Sequence, residues 1–191
     1  GYLTEFLIKK KPSKLILIEK DRQLETVLTN LIKNKSIKIK LIIEDALKIP
    51  INKLSKNKIV LIGNLPYNVA TTLILNWLRY IYSFESIVVM VQKEVASRLS
   101  AKEKTKHYGR TSVLAQVVAD VKIKFDVAPE NFFPKPKVHS SVIEIIPKEK
   151  IKFNYKKLDK FLKLSFMHKR KTLKNNLSKI SSNIEEKIYK C

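Results

Sequence analysis

Cysteine is almost missing from this chain of 191 residues, and the single copy, Cys191, stands at the very end. An intrachain disulfide is therefore excluded, no thiolate metal site can be assembled, and a reducing compartment, the cytoplasm, is the expected home. Long apolar runs are missing as well. Stretches such as Ile59 to Ile62 and Ile87 to Val91 fall far short of the roughly 20 residues that cross a bilayer, so no membrane-spanning helix is expected. No signal-peptide pattern opens the chain. It starts on Gly1 instead of Met, inside what reads as the beginning of a helix, so the natural N-terminus is expected to lie upstream. Histidine is scarce, and His107, His139 and His168 are too scattered to form a metal site, so no metal is expected. Acidic residues are outnumbered: 17 Asp and Glu face 39 Lys and Arg, a formal charge of +22. Such an excess points to a polyanionic partner, and RNA, DNA or an anionic membrane surface would each fit it. A Lys-rich solvated surface with no partner has the same composition.

What is present is a globular pattern. Hydrophobic residues make up 45% of the chain and are spread along it, enough for one cored domain with an appendage. Short β-branched runs at Lys14 to Ile18, Ile37 to Ile43, Lys58 to Ile62 and Ser86 to Val91 read as strands. Stretches of helical spacing lie around them at Leu3 to Lys10, Asp21 to Lys33, Val69 to Tyr82, Lys93 to Ser100 and Ser112 to Val118. Near-continuous apolar strands alternating with helices predict an α/β fold with a parallel sheet buried on both faces. Val121 to Val127 and Val138 to Ile146 predict two further strands, joined through the Pro-rich segment Pro129 to Lys137 as an antiparallel hairpin at the sheet edge. From Pro147 the pattern turns helical, with Leu158, Phe161, Leu162, Ser165 and Phe166 on one face. Residues 148–191 carry a net charge of +10. The expected organisation is an α/β domain over 1–147 and a small basic helical domain over 148–191.

In open α/β sheets, ligands bind beyond the carboxyl ends of strands, which singles out Glu19, Asp45 and Asn64. A carboxylate at Glu19 can accept hydrogen bonds from both hydroxyls of a ribose. Asp45 is placed to accept from an adenine amino group, while Ala46 and Leu47 offer backbone and apolar contact. Either acid could instead be an ordinary turn or cap residue, but consecutive strand ends lie side by side, and the pair says more than either member. The strongest signal is Asn64-Leu65-Pro66-Tyr67, directly after an apolar strand and before a helix. The exocyclic amine of adenine is a poor nucleophile because its lone pair is delocalised into the ring. An Asn side-chain oxygen and a backbone carbonyl can accept its two hydrogens and draw the nitrogen toward tetrahedral geometry. Pro66 fixes the backbone and removes a competing donor. Tyr67 presents a flat face on which an extruded base can stack.

Taken together, Asn64-Leu-Pro-Tyr67, Gln92-Lys-Glu-Val-Ala-Ser-Arg98, Tyr108-Gly-Arg-Thr-Ser-Val113, Phe132-Phe-Pro-Lys-Pro-Lys-Val138 and the stretch from Phe166-Met-His-Lys-Arg-Lys to Leu177 resemble the ribosomal RNA adenine dimethyltransferase family. The resemblance runs in family order over nearly the whole chain. It implies a Rossmann-like class I methyltransferase sheet with helices on both faces, a C-terminal helical domain, S-adenosylmethionine as cofactor, and two adjacent adenosines in small-subunit rRNA as substrate. The partner it implies is the pre-small ribosomal subunit, engaged by a monomer. Carried over by motif, Glu19 would hold the cofactor ribose and Asp45 the cofactor adenine, with Ala46 beside it. Asn64 and the Leu65 carbonyl would hold the target amine, and Tyr67 and Phe132 would clamp the target base. Gly1 resembles the tail of a Gly-rich cofactor loop whose earlier glycines and preceding strand are expected upstream. Lys169, Arg170 and Lys171 would grip RNA phosphates. Two other readings stay open: a large-subunit rRNA adenine methyltransferase of the antibiotic-resistance type, and a non-catalytic RNA-binding assembly factor.

Overall fold

An apolar strand, a helix and a second apolar strand form the opening motif of the computed structural model, which describes residues 1–151, 154–168 and 170–177. The chain divides into two compact units at Pro50 and Ile51. In the first, α1 (Tyr2–Lys9) precedes β1 (Lys14–Glu19). A 3-10 turn (Arg22–Leu24) leads into α2 (Glu25–Ile32), and β2 (Lys38–Ile43) pairs with β1 in parallel. Parallel neighbours need a crossover, and α2 supplies it. The single helix expected from Asp21 begins instead as that 3-10 turn, because the Asp21 carboxylate accepts from Gln23 N at 2.9 Å and caps a tighter coil. Leu28 is the buried apolar residue of this unit.

The second unit holds β3 (Ile59–Asn64), α3 (Ala70–Leu78), β4 (Phe84–Gln92), α4 (Lys93–Leu99), α5 (Arg110–Gln116), β5 (Ala119–Val127) and β6 (Ser140–Pro147). Its strands run in the order β3-β4-β6-β5, with β3 parallel to β4 and β6 antiparallel to both β4 and β5. The α/β class and the terminal hairpin are as expected. The strands hydrogen-bond as a pair and a quartet, whereas the sequence pattern predicts one sheet. On β4 one face is sealed, with Ile87, Val89 and Val91 buried, and the opposite face, with Val88 and Met90, is half-buried. Burial on both faces fails for β3: successive side chains point to opposite faces, and Val60 and Ile62, on the same face as Asn64, remain 51% and 41% exposed. Helix α3 buries Ala70, Leu73, Ile74, Trp77 and Leu78, an i, i+3, i+4, i+7, i+8 stripe.

Beyond β6, α6 (Tyr155–Ser165) starts on an N-cap in which Asn154 Oδ1 accepts from Lys157 N at 3.0 Å. Leu162 and Ser165 are buried, and Leu158 and Phe166 half-buried. Phe161 departs from the expected face and stays 45% exposed, because one residue of helix turns about 100° away from Leu162. Arg110 on α5 binds Asp159 through Nε at 2.7 Å, and the Tyr108 ring meets Phe166 edge-on with centroids 6.1 Å apart. These interactions dock α6 on α5. Burial, and secondarily the Asp159 charge, pushes the Tyr155 phenol well above its usual range.

The turn from α6 to α7 (Leu173–Leu177) wraps around one amide. Asn176 Nδ2 donates to the carbonyls of Ser165, His168 and Lys171, and Asn176 Oδ1 accepts from His168 N at 3.1 Å. Asn176→Ala should therefore cost about 1–3 kcal/mol. A lowered thermal midpoint and faster amide exchange at His168 would register the loss. An unchanged exchange rate would mean that the turn holds itself.

Candidate active site

Sheet topology decides which loops meet. Strands β3 and β4 run parallel, and β6 runs back along β4 with Ser140 opposite Gln92. The C-terminal ends of β3, β4 and β5 and the start of β6 therefore share one end of the quartet. The turn after β3 and the connection from β5 to β6 emerge there together. Asn64 is the last residue of β3, and Leu65 N extends the ladder by one bond to Met90 O at 3.2 Å. The Leu65 side chain is buried and anchors the turn. A Cβ on Gly63 would lie 3.4 Å from Leu65 Cδ2, so that position is closely packed. Pro66 O accepts from Val69 N and Ala70 N, which turns the chain directly into α3.

From the other side, a 3-10 turn (Pro129–Asn131) presents Phe132. Asn64, Leu65, Pro66 and Tyr67 line a cavity of about 350 Å³ with Phe132, Phe133, Pro134 and Pro136. The volume is at the small end of ligand sites. Asn64 and Pro66 are exposed, whereas Tyr67 and Phe132 are half-buried. The five residues expected at the acceptor site thus line one cavity. Phe133, Pro134 and Pro136 were not singled out by sequence reasoning. Their signal was the Phe-Phe-Pro-Lys-Pro run itself, in which only Phe132 reads as a site residue.

Behind the cavity lies a polar brace. Tyr67 Oη and Ser140 Oγ are 2.6 Å apart, and Ser141 Oγ donates to Asp126 Oδ1 at 2.6 Å. Lys93 Nζ binds Asp126 Oδ2 at 2.5 Å, and Lys93 N donates to His139 O at 2.9 Å. The Lys93 ammonium, followed by the Ser141 hydroxyl and more weakly His139, holds the Asp126 carboxyl below the usual aspartate range. His139 itself is exposed, and its side chain has no evident chemical role.

In the first unit, Glu19 pairs with Ile43 in the β1–β2 ladder, and Glu44 N donates to Glu19 O at 2.8 Å. The two strand ends are side by side, as expected. Glu19 Oε1 accepts from Lys20 N and Asp21 N at 2.7 and 2.9 Å, which leaves Oε2 to face a further donor. Asp45 Oδ1 accepts from Leu47 N at 3.0 Å, and Oδ2 lies 2.9 Å from Lys20 Nζ. The Leu47 amide and then Lys20 keep this carboxyl below its ordinary range. Ala46, next in the chain, is half-buried. Two carboxyl acceptors at adjoining strand ends suit the diol and amine of an adenosine, so this acceptor set fits the cofactor inferred from the motifs. Gly1 lines another cavity, of about 370 Å³, with Tyr2, Glu5, Val27 and Leu31. Of the basic triplet, Arg170 and Lys171 are exposed, and Lys169 lies outside the described residues.

The family model for ribosomal RNA adenine dimethylase matches residues 1–190. The chain belongs to this family. Among its relatives is the ribosomal RNA small subunit methyltransferase A of Ehrlichia ruminantium (strain Gardel), 42% identical, with the alignment covering 99% of this chain and 73% of the relative. Among solved structures, a dimethyladenosine transferase from Plasmodium falciparum superposes with a TM-score of 0.81 at 27% identity, over 98% of this chain and 68% of the other. The 23S rRNA methyltransferase ErmE superposes with a TM-score of 0.73 at 18% identity, over 94% and 72%. At that identity the last likeness concerns the fold. As a member of the rRNA adenine dimethylase family, the chain has the family and fold of S-adenosylmethionine-dependent methyltransferases.

The brace behind the cavity is open to measurement. Asp126 is more acidic when folded than when unfolded, so its contribution to stability is present above the ordinary aspartate pKa. That contribution is lost as pH falls through the depressed folded value. Lys93→Met removes the main cause, and carbon-detected NMR titration should then find the Asp126 carboxyl moved up toward its ordinary range. An unmoved titration would show that Ser141 alone sets it.

Proposed function

We propose that this chain transfers methyl groups from S-adenosylmethionine to N6 of two adjacent adenosines in small-subunit rRNA. It does so as a monomer in the cytoplasm, acting on the pre-small ribosomal subunit. The observation that carries the reading is the cavity in which Asn64, Leu65, Pro66, Tyr67 and Phe132 converge at the strand ends. Residues 1–147 form the methyltransferase domain and residues 148–191 the RNA-binding domain. The small-subunit relatives, together with the Phe166 to Leu177 stretch and its basic centre, support this substrate over the large-subunit one.

An adenine taken out of its stack enters between Tyr67 and Phe132, whose rings give it a sequence-tolerant face on each side. Asn64 Oδ1 and the Leu65 carbonyl accept the two hydrogens of the exocyclic amine and aim its lone pair. Glu19 would hold a ribose hydroxyl of the cofactor and Asp45 its adenine amine, with the Asp45 carboxyl also engaged by the exposed Lys20. Bound S-adenosylmethionine supplies a methyl group on a sulfonium, a good leaving group. The protein's task is alignment, and no strong base is required of it.

Asn64→Ala should slow methyl transfer by roughly 10² to 10³ with little change in cofactor affinity, because it removes an interaction made in the transition state. Glu19→Ala should weaken cofactor binding and leave RNA affinity nearly intact. Single-turnover transfer and calorimetric titration separate the two. Full activity in Asn64→Ala would remove the turn from the acceptor site.

The basic turn predicts a salt effect. For every phosphate that the protein no longer neutralises, the dependence of log K on log salt should flatten by about 0.7 to 0.9. Replacing Lys169, Arg170 and Lys171 together with Ala should weaken RNA binding and reduce that slope. An identical slope in filter-binding assays would place the RNA elsewhere.

A further inference from the structure

Strand β6 begins with two serines in a largely apolar run, Ser140-Ser-Val-Ile-Glu-Ile-Ile, and both are completely buried. A buried hydroxyl is unfavourable unless it is hydrogen-bonded, so each needs a partner. Ser141 has Asp126. Ser140 has Tyr67, 73 residues away, at 2.6 Å. Ser140 cannot shift easily, because the ladders hold it between Gln92 of β4 and Val127 of β5. Tyr67 stands in a turn and is half-buried. The χ1 torsion of a tyrosine swings the whole ring among staggered wells. A hydroxyl tied to a rigid strand selects one of them.

We propose that Ser140 is a positioning residue of the methyl-acceptor site: its hydroxyl, fixed in the sheet, holds the Tyr67 ring in one orientation before the base arrives. The inference rests on the reading of Tyr67 as a stacking face for the target adenine. A ring held only by its backbone would still stack on a base, but from more than one position. The amine would then reach the Asn64 oxygen and the Leu65 carbonyl in only a fraction of bound complexes. The hydroxyl bond thus acts on the rate of transfer and hardly on the occupancy of the site. Tyr67 needs its phenol for this, which accounts for a tyrosine where a phenylalanine would stack equally well.

The test is a double-mutant cycle in the gene-encoded protein, with Ser140→Ala, Tyr67→Phe and the pair. The substrate is small ribosomal subunits whose target adenosines are unmethylated. Losing one hydrogen bond should lower the single-turnover rate by roughly five- to thirty-fold. KM for subunits and affinity for S-adenosylmethionine should stay close to wild type. The double variant should be no slower than the slower single one, because both changes delete the same bond. Ser141→Ala is the matched control: it removes an equally buried hydroxyl from the same strand, and it should lower thermal stability without the loss of rate. Overturning results are a wild-type rate in Tyr67→Phe, multiplied effects in the double variant, or an equal rate loss in Ser141→Ala. If Ser140→Ala does not fold, Tyr67→Phe decides alone. Absence of transfer by the wild-type protein would strike the proposed function itself; transfer with an indifferent Ser140 strikes only this inference.

Discussion

The antiparallel pairing of β6 against β4, with Ser140 opposite Gln92, is the constraint on which the candidate site depends. Parallel β3 and β4 carry the Asn64 turn to one end of the sheet, but two parallel strands alone would leave that turn open to solvent. Because β6 runs the other way, the long connection from β5 must close at the same end, and Phe132 to Pro136 come with it. The cavity is thus a product of strand direction. The side chains that line it are mainly exposed or half-buried, and the groups that hold them are buried: Leu65 under the turn and Ser140 in the strand.

Much of this was legible in the sequence, for identifiable reasons. Strands such as Lys14–Glu19 and Phe84–Gln92 are β-branched and continuous, helix α3 has a clean 3.6-residue stripe, and Pro129 to Lys137 breaks the pattern where the hairpin turns. The Asn-Leu-Pro-Tyr turn was visible because its chemistry needs an amide, a proline and an aromatic ring in that order. Other features were hidden. Val60 and Ile62 have the same composition as buried strand residues, and apolar identity does not reveal which face is covered. Phe161 reads as core because a helical face is drawn about 100° wide, while α6 buries a narrower stripe.

The interactions that could not be read at all are the long-range polar ones. Nothing in the spacing of Tyr67 and Ser140, Lys93 and Asp126, or Arg110 and Asp159 marks them as partners. Each joins elements that only the topology brings together. The serines are the instructive case. In sequence they lie inside the expected strand Val138 to Ile146 with nothing to mark a role; in the fold they are buried hydroxyls with one partner each.

Charge follows a related logic. With 39 basic residues against 17 acidic ones, most cations have no acid available, and the few acids are spent where position matters. Asp126 ties α4 to β5 beside the cavity, Asp159 ties α6 to α5, and Asp45 holds Lys20 at the strand ends of the first unit. Exposed pairs of this kind add little stability. Their effect is to orient: a scarce carboxylate fixes one lysine or arginine in a defined direction and leaves the excess positive charge to meet a phosphate backbone wherever it runs. A surface of this composition binds a polyanion without choosing its sequence. On the proposed reading, selection then falls to the small, mostly uncharged cavity, where an amide oxygen, a carbonyl and two rings would recognise one base.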